Sequence, residues 1–171
     1  RSVMGGYSSE AEISMQSGAM VYQHLPRDTY NTYRVHILRE GWDVLDSNNV
    51  KHPINKDDFS TVINGKTINF DCVFNAIHGH PGEDGILIAY FELLGISHTS
   101  AASYKMGLTF NKKDCLSVVK EYGIKAARSF PVNRGDSLAT EAIIAKVGLP
   151  CFVKPNSAGS SFGISKVSSV D

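Results

Sequence analysis

A lysine at the end of an apolar stretch, followed by a loop of small residues, is the segment of this chain best suited to chemistry. Residues 151–153 are apolar, Lys154 follows them, and the loop 155–163 contains two glycines and three serines. Glycine lets backbone N–H groups approach an anion, serine hydroxyls add donors, and the lysine supplies positive charge. The combination predicts a strand–loop–strand unit that holds a triphosphate, with the loop closing over the phosphates as a lid.

Two further side chains are candidates for contact with a small charged ligand. Glu10 lies at the predicted start of a helix, where its carboxylate either binds a ligand or interacts favourably with the helix dipole. His78 follows the apolar run 72–77, which is typical of a strand buried on both faces of a parallel sheet. The carboxyl ends of such strands face the crevice where α/β folds bind ligands, so His78 contacts either a substrate or its own loop.

Composition excludes several classes of partner. The 171 residues carry 17 basic and 17 acidic side chains, so a net charge of zero argues against binding to nucleic acid or to an anionic membrane surface. No apolar stretch is long enough to span a membrane. The cysteines Cys72, Cys115 and Cys151 are an odd number without CxxC spacing, which predicts reduced thiols in a cytosolic protein.

The apolar pattern of the first part of the chain predicts alternating strands and helices. We expect a strand before Gly5-Gly6, a helix opened by a capping box at Ser9 to Glu12, and an edge hairpin that turns at Asn64-Gly65. The further predicted elements are strands at 33–38, 42–45, 72–77 and 95–98, a helix at 86–94, and a helical face shared by Ile13, Met20 and Val21. This order is typical of the α/β class, with a small doubly wound parallel sheet.

The composition becomes small and polar at 99–103, which predicts a domain boundary there. We therefore expect one domain over residues 1–102 and a second over residues 103–171. In the second domain the pattern predicts a helix at 113–122, a strand at 126–132, and a helix at 136–147 that presents Leu138. The predicted strand that ends at Lys154 and the loop 155–163 follow.

Three motifs resemble one known family. They read GGYSSEAEIS at residues 5–14, IHGHPGEDG at 77–85 and VKPNSAGSSFG at 153–163, and the HGxxGEDG element is the most specific. Their order and spacing closely resemble the D-alanine–D-alanine ligases of the ATP-grasp superfamily, over roughly the N-terminal half of such enzymes. The resemblance implies a substrate-binding pre-ATP-grasp domain followed by the first part of an ATP-grasp domain. It also implies an ADP-forming enzyme that joins two D-alanines through an acyl phosphate for peptidoglycan precursor synthesis.

The resemblance also implies roles for single residues. Glu10 would hold the ammonium of the first D-alanine, His78 would contact that substrate, and Glu83 would orient it. Ser160 would link Glu10 to the closing part of the site, which makes Glu10 and Ser160 the implied catalytic residues. The implied ATP-binding residues are Lys112, Lys154, Gly159, Ser160, Ser161 and Phe162. Phe162 would shield the acyl phosphate from water, whereas His80 matches no family role and is expected to be a solvated loop residue.

The implied cofactors are ATP with Mg²⁺ or Mn²⁺, and the implied partner is D-alanine, in the cytoplasm. The resemblance leaves open whether the protein forms a homodimer. The family's metal ligands are expected beyond Asp171, so no metal ligand is expected in this chain. Two other functions also stay open: a related ATP-grasp carboxylate ligase with D-lactate or D-serine as second substrate, and a non-catalytic binding domain.

Overall fold

The computed structural model describes residues 2–137 and 139–170, which form two compact units. The units are Arg1–Leu108 and Thr109–Asp171. The division falls a few residues after the boundary that the composition predicts, and the predicted domain assignment remains a prediction. Leu138, which the sequence places on a helix, lies outside the described residues.

The first unit is built on one eight-stranded sheet in the order β6-β5-β4-β3-β2-β1-β7-β8. Its elements are β1 Ser2–Gly5, α1 Ala11–His24, β2 Arg34–Ile37, β3 Trp42–Leu45, β4 Lys51–Asn55, β5 Ser60–Ile63, β6 Lys66–Ile68, β7 Cys72–Asn75, α2 Ile86–Leu93, β8 Ser97–His98 and α3 Ser103–Phe110, the last of which continues into the second unit. Strands β2, β1, β7 and β8 are parallel, and β3 to β6 extend the sheet by antiparallel pairing. The predicted α/β fold is confirmed, and its sheet is mixed rather than wholly parallel. Strand β4 and helix α3 were not predicted.

The predicted edge hairpin is confirmed. Strands β5 and β6 pair antiparallel, with Ile63 opposite Lys66, and β6 is the outermost strand on its side of the sheet. Between them, Asn64 and Gly65 have φ angles of 51° and 74°. Left-handed values at both central residues match the tight hairpin turn that an Asn-Gly pair favours.

The predicted capping box at the start of α1 is wrong. The helix begins after Glu10, and no side chain caps its first turn by a hydrogen bond. Instead, the Ser8 hydroxyl oxygen accepts from the Glu10 backbone N–H at 3.1 Å. The carboxylate of Glu10 is thus not engaged in helix capping.

The buried face of α1 also differs from the prediction. Ile13 and Met20 are 39% and 58% exposed, whereas Ser14 and Gly18 are buried. A Cβ atom on Gly18 would lie 2.5 Å from the Cβ atom of Met4 in β1, so only glycine permits this close approach. A search for apolar residues at helical spacing cannot find a face that consists of small residues.

The core of the first unit lies between the sheet and its helices. Its fully buried side chains come from β1, β2, β3, β7, α2 and the segment before β5: Val3, Val35, Ile37, Val44, Phe59, Val73, Ile88 and Phe91. Strand β7 is less buried than its apolar sequence predicts, because Cys72 is exposed and only Val73 is fully buried. This packing fixes the carboxyl ends of β1 and β7, from which the candidate site loops emerge.

A pH-dependent stability is expected from His36 in β2. Burial lowers the pKa of His36 below its ordinary value of 6.5, and the nearby cations Arg34 and Lys51 lower it further, against a smaller opposite effect of Asp43. The unfolded chain therefore takes up this proton at a higher pH than the folded chain, so stability falls as the pH drops below about 6.5. When the pH is lowered from about 7.5 to about 5.5, the melting temperature of His36→Gln should fall less than that of the parent protein. Equal slopes for the two proteins would contradict the assignment.

The second unit contains α4 Lys112–Glu121, α5 Thr140–Val147, and the antiparallel strands β9 Cys151–Val153 and β10 Ser165–Val167. The predicted strand at 126–132 is wrong, because the described residues there form no strand. An apolar segment becomes a strand only when a neighbouring strand offers hydrogen bonds to its backbone. In the described part of this unit, β9 and β10 pair only with each other, so residues 126–132 have no strand to pair with. The predicted helix at 136–147 begins later, at Thr140.

None of the described residues of the second unit is fully buried. Phe152 and Val153 in β9 are each 59% exposed. Among the described residues of the whole chain, no helix combines the length and the apolar character that crossing a bilayer requires.

Candidate functional site

Three predicted site residues of the first unit come together at the carboxyl ends of β1 and β7. Glu10 lies in the loop after β1, and His78 and Glu83 lie in the loop after β7. One ligand atom from each of the three side chains lies within 4.8 Å of the others. The parallel pairing of β1 with β7 places both loops at the same edge of the sheet, as the rule for α/β folds predicts.

Glu10 is the most unusual of the three side chains. It is 3% exposed, and its Oε1 atom is buried without a hydrogen-bond partner among the described residues. A buried carboxylate oxygen without a donor costs stability. Such an oxygen is therefore a sign of a site that a donor from a ligand completes.

Hydrogen bonds within the two loops, between them and from helix α1 hold these side chains in place. The Ser8 hydroxyl donates to the His78 carbonyl oxygen at 3.1 Å and, as described above, accepts from the Glu10 backbone. Glu83 Oε2 accepts from the Gly79 backbone N–H at 2.7 Å, and His78 Nε2 lies 3.1 Å from the Ser17 hydroxyl oxygen. The sequence alone did not single out Ser8 or Ser17.

Gly79 is required by the close approach of the loops. Its φ angle is 69°, in the left-handed region. A Cβ atom at this position would lie 2.6 Å from the Ser8 hydroxyl oxygen and 3.0 Å from Glu10 Oε2. A side chain here would displace the carboxylate, so the glycine of the HGxxGEDG motif shapes the Glu10 side of the site.

The arrangement is suited to a cation. Two carboxylates and one imidazole converge, and one carboxylate oxygen is both buried and unpaired. An ammonium group could donate charge-assisted hydrogen bonds to these oxygens. The same atoms have a spacing that could hold a metal ion, although the donor set with one histidine suits a transition metal better than Mg²⁺.

His80 lies in a loop with a partly exposed side chain, as the sequence predicts, but it also makes two contacts that the sequence does not predict. Its Nδ1 atom lies 2.5 Å from Asp84 Oδ2, and its ring packs edge-on against Tyr7 with centroids 5.4 Å apart. The side chain is 43% exposed. The sequence next to His80, Gly79 on one side and Pro81 on the other, gives no indication of these contacts.

In the second unit, Lys112 contacts the predicted phosphate loop. Its Nζ atom donates to the carbonyl oxygens of Ala158 at 2.5 Å and Asn156 at 3.4 Å, and its backbone N–H donates to the Asn156 carbonyl at 3.2 Å. The lysine predicted from the resemblance therefore lies beside the loop, at the start of α4.

Asn156 is a site residue that sequence reasoning missed. Its Nδ2 atom donates to Asn111 Oδ1 at 2.8 Å, and its Oδ1 atom accepts from the Lys113 backbone N–H at 2.8 Å. Asn111 also caps α4 by accepting from the Asp114 N–H at 3.0 Å. Two asparagines, one before a helix and one in a turn, were the signal that could have indicated this connection.

The loop itself adopts a strained turn. Ser160 and Ser161 have φ angles of 46° and 61°, and the Phe162 N–H donates to the Gly159 carbonyl at 3.0 Å. Left-handed backbone at two consecutive non-glycine residues is uncommon and costs about 1–3 kcal/mol at each. Strain of this kind concentrates at ligand clamps and switch segments, which agrees with the predicted lid.

Lys154 and Phe162 remain accessible to a ligand. Lys154 follows β9, is exposed, and has its Nζ atom 5.7 Å from the centroid of the Phe152 ring. Phe162 is 45% exposed. Their roles toward ATP and the acyl phosphate stay predictions, as does the link between Ser160 and Glu10.

A cavity of about 430 Å³ in the first unit contains none of the predicted site residues. Its lining includes Thr32 and Tyr33, which precede β2. Because β1 and β2 are parallel, this cavity lies toward the amino ends of the strands, opposite the edge that carries Glu10.

Comparison with models of known protein families shows to which family this chain belongs. A family model described as the D-Ala D-Ala ligase N-terminus matches residues 2–101, and one described as the D-Ala D-Ala ligase C-terminus matches residues 118–171. The chain belongs to the D-alanine–D-alanine ligase family. The resemblance inferred from the three motifs is thereby confirmed.

Curated members of the D-alanine–D-alanine ligase family are similar along nearly the whole chain. A D-alanine–D-alanine ligase of Flavobacterium johnsoniae is 59% identical over 98% of this chain, and one of Christiangramia forsetii is 55% identical over 98%. The matches cover 52% of each of those proteins. The chain thus spans about half the length of the curated relatives it matches.

Solved structures of other ligases share the fold of this chain. The VanG D-Ala:D-Ser ligase of Enterococcus faecalis is 30% identical with a TM-score of 0.78, and the match covers 98% of this chain and 55% of that one. The D-alanine–D-alanine ligase of Coxiella burnetii has a TM-score of 0.84 at 24% identity, with 98% of this chain and 56% of that one covered. Because the Coxiella burnetii protein is only 24% identical to this chain, its similarity supports the fold alone.

Proposed function

We propose that the protein carrying this chain is an ATP-dependent, ADP-forming ligase that joins two D-alanines in the cytoplasm for peptidoglycan precursor synthesis. Family membership supports this proposal. The observation that carries it is the buried, unpaired Oε1 atom of Glu10 beside His78 and Glu83.

The first unit would bind the first D-alanine. Glu10 would accept hydrogen bonds from the substrate ammonium, which supplies the donor that Oε1 lacks. His78 would contact the same substrate, and Glu83 would keep the loop in place through the Gly79 N–H. Holding the ammonium leaves the substrate carboxylate free to take the γ-phosphoryl group of ATP, which releases ADP. The amine of the second substrate then attacks the acyl phosphate, forms the amide bond, and releases inorganic phosphate and a proton.

The second unit would bind the phosphates of ATP. Lys112 and Lys154 would supply positive charge, and the loop 159–162 would cover the phosphates. The carbonyl oxygens that Lys112 contacts belong to the segment that leads into this loop, so its ammonium also holds the loop. Phe162, being partly exposed, would shield the acyl phosphate from water.

Mg²⁺ or Mn²⁺ would neutralise charge on the phosphates when bound. The three converging side chains of the first unit do not fit this role, because oxygen ligands suit both ions, in an octahedral shell for Mg²⁺, and one of the three ligands is a histidine nitrogen. We therefore assign Glu10 to the substrate ammonium, His78 to contact with the same substrate and Glu83 to the loop, and derive no step through a metal at these residues.

The test is the release of ADP by the full-length protein. We expect ADP formation to depend on added D-alanine and Mg²⁺, and D-alanyl-D-alanine to appear in equal amount by mass spectrometry. Binding of ATP and D-alanine without turnover would favour the non-catalytic alternative, and ATP hydrolysis that does not depend on D-alanine would contradict the ligase assignment.

A second candidate differs only in the second substrate. The structural similarity to a D-Ala:D-Ser ligase at 30% identity favours considering D-serine, and D-lactate belongs to the same alternative. Equal concentrations of D-alanine, D-serine and D-lactate in one reaction distinguish these cases, because the mixed products differ in mass. A product that is mainly D-alanyl-D-serine would replace the first candidate.

A further inference from the structure

His80 joins the two loops that carry Glu10 and His78, and we propose that it is a positioning residue for the ammonium subsite of the first D-alanine. The inference rests on the proposed function for its substrate. Its structural basis, a side chain that connects both loops, is independent of that function.

On one side, His80 is attached to the start of α2 through Asp84. The His80 Nδ1 atom lies 2.5 Å from Asp84 Oδ2, and Asp84 Oδ1 accepts from the Ile86 N–H at 3.2 Å. The Asp84 side chain is 19% exposed and the His80 side chain is 43% exposed, so the pair is partly shielded from competing water. Asp84 directly follows Glu83, so this attachment also restrains the residue that holds Gly79.

On the other side, His80 packs against a fixed aromatic ring. Tyr7 donates its backbone N–H to the His80 carbonyl at 2.8 Å, and the two rings meet edge-on. The Tyr7 hydroxyl accepts from Trp42 Nε1 at 2.6 Å, and the Arg39 guanidinium lies 5.2 Å from the ring centroid and donates to the Tyr7 carbonyl at 3.0 Å. Tyr7 is therefore held through its backbone, its hydroxyl group and the face of its ring, and His80 packs against this held ring.

These contacts connect the two halves of the subsite. Tyr7 precedes Ser8 and Glu10 on one loop, and His80 follows His78 on the other. Between these loop segments, the Ser8 hydroxyl also donates to the His78 carbonyl, and the Ser17 hydroxyl of α1 contacts the His78 ring. Without the imidazole, the distance between Glu10 and His78 is less restrained, although neither side chain is removed.

The expected effect falls on substrate binding. In the full-length protein, His80→Ala should raise the KM for the first D-alanine by about threefold to tenfold, the range that loss of one partly buried hydrogen bond produces. The kcat should change by less than about twofold, because the groups that contact substrate remain in place. His80→Asn keeps a side-chain donor toward Asp84 and should restore most of the KM.

His52 offers a matched control. Its Nε2 atom lies 3.1 Å from Asp46 Oδ2 with side-chain exposures of 17% and 19%, so it forms the same type of pair. It lies in β4, which β3 and β2 separate from β1. His52→Ala should leave the KM unchanged even if it lowers the melting temperature. An equal rise of KM in both variants, or an unchanged KM in His80→Ala, would overturn the proposal.

Hydrogen–deuterium exchange supplies a measurement that does not need ligase activity. In His80→Ala, the amides of Tyr7 and Gly79 should exchange faster than in the parent and in His52→Ala, since both amides are bonded across or within the two loops. If the parent forms no ADP with D-alanine, the proposed function fails and the exchange comparison alone decides the inference. Unchanged exchange in that case would reject it.

Discussion

Replacing Glu10 by glutamine should raise the KM for the first D-alanine by about one to two decades, the effect of losing a charge-assisted hydrogen bond. The amide keeps the size of the side chain but removes the charge that attracts the ammonium. ATP affinity should stay near its parent value. Steady-state kinetics of the full-length protein, with ATP saturating and D-alanine varied, measure this change.

The thermal stability of Glu10→Gln should rise or stay unchanged, although its binding of D-alanine weakens. The Oε1 atom of Glu10 is buried and unpaired without ligand, and a neutral amide costs less to bury than a carboxylate. The melting temperature of Glu10→Gln without ligand should therefore equal or exceed that of the parent. Loss of stability with an unchanged KM would assign Glu10 to the structure of the helix start instead.

Glu12→Gln is the matched control for this experiment. Glu12 lies in the first turn of the same helix but is exposed. Its favourable interaction with the helix dipole is worth about 0.3–1 kcal/mol. We expect Glu12→Gln to change the melting temperature slightly and the KM for D-alanine not at all, which separates the two carboxylates by function.

Replacing Lys154 by alanine should weaken ATP binding by about one to two decades while D-alanine binding changes little. Lys154 is exposed at the end of β9, and its ammonium has the ring of Phe152 as its described neighbour rather than a carboxylate. A lysine in that position is available to phosphate oxygens. Calorimetric titration of the full-length protein with a non-hydrolysable ATP analogue gives the affinity.

Lys166→Ala controls for a general loss of positive charge near the loop. Lys166 is an exposed lysine of β10, and it pairs across the hairpin with Phe152. Its removal should leave ATP affinity within about twofold, because it has no assigned phosphate contact. If Lys154→Ala binds the analogue as tightly as the parent, Lys154 is a surface lysine and Lys112 alone carries the phosphate assignment.

Local signals in the sequence determined the positions of most elements and of the site loops. The turn at Asn64-Gly65 was predictable because few residue pairs adopt left-handed backbone at two successive positions. The placement of His78 at the carboxyl end of a strand followed from the apolar run that precedes it. Such signals depend on residues close in sequence, so they can be read without knowing the tertiary contacts.

The tertiary structure alone decided which of these residues are buried, paired or left without a partner. Ser8 meets His78 across 70 positions of the chain, and Asn156 meets Asn111 across 45. The unpaired Oε1 atom of Glu10 likewise depends on which groups the two loops bring near it. No periodicity encodes contacts between loops so far apart in sequence, because they arise only when the packed sheet brings the strand ends together.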